Sequence, residues 1–145
     1  MPMAKANGVV HSPLSASTVF ERVADFSTTQ EWDPGVVEAE RLSDGPLEIG
    51  ATFRVVAAFM GSKSELVYRI TEFEPGHRVV LRGENSTVLS VDVITVDASG
   101  DGAVLTYDAD LTLKGPLRLL DPLLGLAFGR IADRALAGLT EWLKS

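Results

Sequence analysis

Leu117-Arg118-Leu119-Leu120-Asp121-Pro122-Leu123-Leu124, followed by a proline-free run to Ser145, is the stretch whose reading decides the fold. Asp121 suits an N-cap, and Pro122 suits the first helical position because its missing N–H would be orphaned there anyway. Beyond it Leu124, Phe128, Ile131, Ala135, Leu139 and Trp142 recur at steps of three and four. That spacing places all six on one face of an α-helix of about 23 residues, roughly 35 Å long. Everything upstream is dominated by strands. A long amphipathic helix closing a strand-rich chain buries its apolar stripe by lying across a sheet.

Working outward, Val104 to Leu113 alternates most cleanly. Leu105, Tyr107, Ala109, Leu111 and Leu113 take one face, and Thr106, Asp108, Asp110 and Thr112 the other. One buried and one wet face is the pattern of an antiparallel sheet. Thr52–Met60 and Glu65–Phe73 alternate similarly, with Phe53, Val55, Ala57 and Phe59, then Leu66, Tyr68 and Ile70, on the apolar side. Val9–His11, Val36–Leu42, Val79–Arg82 and Thr87–Val96 complete seven strands. Loops such as Gly61-Ser62-Lys63 are too short for parallel crossovers. Ser15 or Ser17 caps a helix through Val19, Phe20, Val23 and Ala24. A second short helix follows and ends at Asp33-Pro34-Gly35.

Composition bounds the function. The chain has 145 residues, which suits one domain. Its formal charge of −7 opposes nucleic acid or anionic membrane as the main partner. With no cysteine, disulfides, thiolate nucleophiles and Cys-based metal sites are excluded. The start lacks a long apolar core, and the Leu-rich stretch from Leu117 to Ile131 is too interrupted for a membrane span. A soluble cytoplasmic protein is expected. No nucleotide-binding glycine motif or nucleophile elbow occurs, and no metal or other cofactor is expected.

The order strand, two helices, six strands, long helix resembles the START-like superfamily, also described as polyketide cyclase/dehydrase or birch-pollen-allergen-like. The resemblance spans nearly the whole chain. It rests on Val19-Phe20, Asp25 and Trp32, on Gly50 and Phe53, and on Tyr68-Arg69-Ile70-Thr71-Glu72-Phe73-Glu74-Pro75-Gly76-His77-Arg78. It rests also on Gly102-Ala103-Val104-Leu105-Thr106-Tyr107 and Leu119-Leu120-Asp121-Pro122-Leu123-Leu124. It implies an α+β helix-grip fold, a curved seven-stranded antiparallel sheet around the last helix, and an apolar cavity between them. It implies binding of lipids, polyketides or similar molecules, with cyclase-type enzymes as the alternative.

Periodicity alone favours a solid core between sheet and helix; the resemblance favours a hollow one. In the hollow case the expected ligand-binding set is Trp32, Phe53, Val55, Phe59, Leu66, Tyr68, Leu89, Val91, Leu105, Tyr107, Leu111, Leu124, Phe128, Ile131 and Ala135. Tyr68, Tyr107 and His11 are the candidates for moving protons, since a buried phenol needs a partner and a neutral imidazole is a usable base. His77 belongs to an exposed turn. Arg54, Arg69, Glu65 and the pair Asp108/Asp110 fall on the wet face. Gly125, Gly129 and Gly138 interrupt the long helix. They imply close packing against a strand or, for Gly125 and Gly129, deformable first turns that gate a cavity. The surplus leucines from Leu117 to Leu126 suit a pocket rim, a homodimer contact or a partner surface.

Overall fold

The computed structural model describes residues 4–59, 62–114 and 121–145, with the side chains of 4, 59, 62 and 121–128 outside the description. Seven strands, β1 (Ala4–Ser12), β2 (Val36–Arg41), β3 (Thr52–Phe59), β4 (Ser62–Glu74), β5 (Arg78–Glu84), β6 (Val88–Ser99) and β7 (Gly102–Leu113), form one sheet. Their order is β1-β7-β6-β5-β4-β3-β2, and every neighbouring pair is antiparallel. The sheet curls into a half-barrel. Register shifts between Val36 and Glu38 and between Ile70 and Glu72 mark two places where an extra residue bends it.

Helix α1 (Ala16–Ala24), a 3-10 turn (Phe26–Thr28) and α2 (Thr29–Trp32) link β1 to β2. Ser15, rather than Ser17, caps α1, accepting from the Thr18 amide at 3.3 Å. Asp25 caps the 3-10 turn through the Ser27 amide at 3.0 Å. Both are short acceptors satisfying orphaned N–H groups. Helix α3 (Asp121–Trp142) packs chiefly along β1 and against α2. Its C-terminal part is conventional core: Leu139 and Leu143 are fully buried with Val19, Val23, Ile94 and Leu105. Leu143 lies one residue beyond the helix and extends the stripe read from the sequence.

A buried hydrogen bond fastens this end. The Ser12 hydroxyl donates to the Leu143 carbonyl at 2.6 Å and accepts from the Leu14 amide at 3.1 Å. It satisfies a helix-end carbonyl that no amide of α3 reaches. Ser12→Ala is expected to cost about 1–2 kcal/mol in urea unfolding, because it strands a buried acceptor; an unchanged midpoint would show that water replaces the hydroxyl.

The wet face is closed by charge. Arg54 lies within 3.1 Å of Glu38, 3.5 Å of Glu40 and 2.5 Å of Glu65. The three carboxylates stand on the flanking strands β2 and β4, so β3 carries the cation that serves both.

Candidate functional site

The sheet and α3 do not fill the space between them. A cavity of about 190 Å³ remains, an order of magnitude more than one water molecule requires. Val55 and Ala57 of β3 and Leu66 of β4 line one side. Ala109 and Leu111 of β7 line the other, and Ile131, Ala135 and Leu136 of α3 form the roof. Small residues on both walls keep it open. Gly8, opposite Tyr107 across the β1–β7 pair, sets how closely α3 lies on β1: a Cβ there would run into Leu136.

One wall is polar. Ser90 and Asp92 of β6 point inward and are buried at 4% and 6% exposure. The Ser90 hydroxyl donates to Asp92 Oδ1 at 2.9 Å, and the Tyr107 hydroxyl donates to Asp92 Oδ2. Tyr68 stands beside them, its ring resting on Gly83, where a Cβ would come within 2.6 Å of the aromatic carbons. Trp32 meets Tyr107 edge-on, with centroids 6.2 Å apart. Next to Trp32, Asp33 reaches the same cavity and accepts from the Gly35 amide at 2.8 Å, an Asx turn that fixes its carboxylate.

The electrostatics follow from burial. Asp92 is pushed up to about 6, chiefly because burial penalises its charge. Hydrogen bonds from Tyr107 and Ser90 hold it down in part, and the negative charge of Asp33 adds to the rise. Burial also raises Asp33 above the ordinary carboxylate range, and the Gly35 N–H offsets some of that. Both tyrosines are raised, first by burial and then by the nearby charge of Asp92. An aspartate that titrates close to neutrality in an apolar cavity can give or take a proton from a bound molecule.

The residues expected from sequence separate into groups. Trp32, Val55, Leu66, Tyr68, Tyr107, Leu111, Ile131 and Ala135 lie together on the cavity wall. Phe53 and Leu105 point inward but are fully buried in solid core; Phe53 packs against Phe26 with centroids 6.4 Å apart. Leu89 and Val91 correct the reading of β6, because they lie on its opposite face. The β6–β7 register pairs Asp92 with Ala109 and Ile94 with Tyr107. Directly opposed residues share a face, so the inward set of β7 draws in Ser90, Asp92, Ile94 and Val96. The signal that finds them is the Gly100-Asp101 hairpin: counting back from the Ser99–Gly102 pair gives this register. His11 is exposed on β1 and does not reach the cavity. His77 sits in the β4–β5 turn, its Nδ1 3.0 Å from the Val96 carbonyl. The side chains of Phe59, Leu124 and Phe128, and the Leu117–Leu126 rim with its Gly125 gate, lie outside the described residues. Gly138 packs closely, though against the α2 backbone rather than a strand, and no atom of the described residues lies within 4 Å of a Cβ built on Gly129. Among the described residues no cluster suited to a metal ion occurs, and no helix is long and apolar enough to cross a membrane.

A curled antiparallel sheet gripping one long helix around a cavity defines a helix-grip protein. The chain belongs to the polyketide cyclase/dehydrase and lipid transport family, whose sequence model matches residues 3–143. Its structure is similar to the Zhui aromatase/cyclase from Streptomyces sp. R1128 (14% identity, TM-score 0.80, covering 96% of this chain and 92% of that one). It is similar also to a START superfamily protein from Mycobacterium smegmatis (18% identity, TM-score 0.73, 97% and 99% covered). A STAR-related lipid transfer protein from Xanthomonas axonopodis matches with 17% identity, TM-score 0.70, and 98% and 87% covered. No curated protein matches the sequence significantly.

Proposed function

We propose that this protein binds a hydrophobic small molecule in the cavity between the sheet and α3, as a carrier or sequestering protein. The observation that carries this reading is the cavity itself, an apolar chamber with a few polar groups, chief among them the buried Ser90–Asp92–Tyr107 cluster. Burial of apolar ligand surface there contributes roughly 25 cal/mol per Å², and the polar wall orients the molecule. The test is titration with the uncharged fluorophore N-phenylnaphthylamine, alongside native mass spectrometry of the purified protein. Ala135→Leu, which extends a wall residue into the chamber, is expected to weaken probe binding at least about tenfold, a loss of 1.4 kcal/mol, without lowering the unfolding midpoint. Unchanged binding would sink the reading.

A second reading, an enzyme of the cyclase or dehydratase type, is favoured by the Asp92–Tyr107 pair. The chamber would fold a reactive chain by proximity, and Asp92 would shuttle protons near neutral pH. Turnover of a poly-β-keto substrate by the wild type, lost in Asp92→Asn, would support it. Absence of turnover with retained binding would leave the carrier.

A further inference from the structure

Two carboxylates, Asp33 and Asp92, open onto one apolar cavity, and among the described wall residues there is no lysine, arginine or histidine. Buried carboxylates are ordinarily matched by a cation, because the low-dielectric surroundings otherwise leave their charge uncompensated. Arg54, Arg78 and Lys114 all form their ion pairs elsewhere, with Glu38, Glu72 and Glu84. The two hydroxyls that bond Asp92 point the same way. Ser90 and Tyr107 spend their O–H groups on Asp92, so neither hydroxyl has a proton left for a ligand; the donors that remain in the region are the Tyr68 hydroxyl, beside Ser90, and the buried Trp32 Nε1–H, which has no partner among the described residues. Asp33 is an acceptor too. Three aromatic side chains, Trp32, Tyr68 and Tyr107, line the same region, and aromatic faces attract ammonium groups. Around the two carboxylates the wall thus presents negative charge, hydroxyls with no proton to donate and ring faces, with the Trp32 N–H as a separate donor.

Building on the binding function proposed above, we infer that the ligand is a hydrophobic amine, whose ammonium group supplies the positive charge that Asp33 and Asp92 lack. The apolar body occupies the space under Ile131, Ala135 and Leu136. A free fatty acid or other carboxylate is the wrong chemistry, since it would bring a third negative charge into the chamber.

The experiment holds the apolar body constant and changes only the head group. Naphthalene-methylamine, naphthalene-methanol and naphthoic acid are titrated by calorimetry at about neutral pH. The expected order is amine, then alcohol, then acid, with the amine at least about tenfold tighter than the acid. In Asp92→Asn the advantage of the amine over the alcohol is expected to fall to within about threefold, a residue of less than 0.7 kcal/mol. Asp33→Asn is the second variant, with the same direction expected. Comparable affinity for all three probes, or an amine advantage that survives both substitutions, overturns the head-group inference and leaves the cavity reading intact. If none of the probes binds and native mass spectrometry finds the protein empty, both fall together.

Discussion

Asp92→Asn is expected to stabilise the ligand-free protein, by an amount that grows with pH. In the folded state Asp92 releases its proton at about 6, whereas the unfolded chain releases it near 3.8. Between those values the folded protein holds a proton that the unfolded chain has already lost. Stability contributed by this group is therefore full below about pH 4 and falls as pH rises through about 6. The interval corresponds to about 3 kcal/mol, at about 1.4 kcal/mol for each pH unit. Asparagine has nearly the same shape and no charge. It can still accept from Tyr107, and Ser90 can turn to accept from its amide. The stability difference, Asp92→Asn minus wild type, should be small at about pH 4, climb by about 3 kcal/mol by pH 7, and stay flat above. Taking the difference matters, since Asp33 is raised in the same direction and titrates in both proteins. Urea unfolding at a series of pH values measures it. A difference that does not vary with pH would mean that Asp92 is hydrated or already matched by a cation. Keeping an aspartate that costs stability at neutral pH fits a group retained for binding or proton transfer rather than for the fold.

Two glycines of the same helix are expected to respond to alanine with opposite signs. Helix propensity alone favours alanine over glycine by about 1 kcal/mol. Among the described residues no atom lies within 4 Å of a Cβ placed on Gly129, so Gly129→Ala should gain most of that amount. At Gly138 the added carbon would overlap the backbone carbonyl of Trp32. Neither side can yield as a flexible side chain would. α3 would have to withdraw from α2, loosening the packing of Leu139 and Leu143, both fully buried. Overpacking of this kind costs about 1–3 kcal/mol and occasionally more. With backbone on both sides the upper end applies, for a net loss of about 2–3 kcal/mol. Equilibrium unfolding of the two variants under one condition decides the point. A stabilised Gly138→Ala would show that the α2–α3 approach is not as tight as described.

The close approach at Gly138 also explains part of the site. It brings α3 over Trp32 and Asp33, the two residues at the end of α2 that reach the cavity. A glycine in the interior of a helix therefore sets how α2 presents a carboxylate to the chamber. Nothing in the local sequence around Asp33 carries that information, because its partner lies a hundred residues away.

Much of the architecture was legible in residue order alone. The alternation in β3, β4 and β7 placed Val55, Leu66, Tyr68, Tyr107 and Leu111 on the inward face, where the structure has them. Side chains on a strand have a period of two, so one clean stretch assigns every member of its face. Strand β6 misleads such treatment, since its wholly apolar phase, Leu89, Val91 and Val93, faces outward, while the phase that carries Ser90 and Asp92 faces in. Its facing is decided by pairing with β7, and the polar residues turn inward as a consequence. A hydrophobicity pattern discards Ser90 and Asp92 at the outset, which is why the most distinctive groups of the cavity escaped it.

By itself, then, the sequence determined the elements, their antiparallel order and the helix that closes them, because these depend on periodicity and on turn and capping residues close in the chain. The tertiary structure decided that the chamber is hollow and that its polar wall is acidic. The first depends on the separation between sheet and helix, which small residues such as Gly8, Ala109 and Ala135 set from three different elements. The second depends on Asp33 and Asp92 meeting at one cavity, though they lie far apart in sequence, one at the end of α2 and one in β6. Local pattern reports which way a side chain points; only packing brings two distant carboxylates to the same empty space.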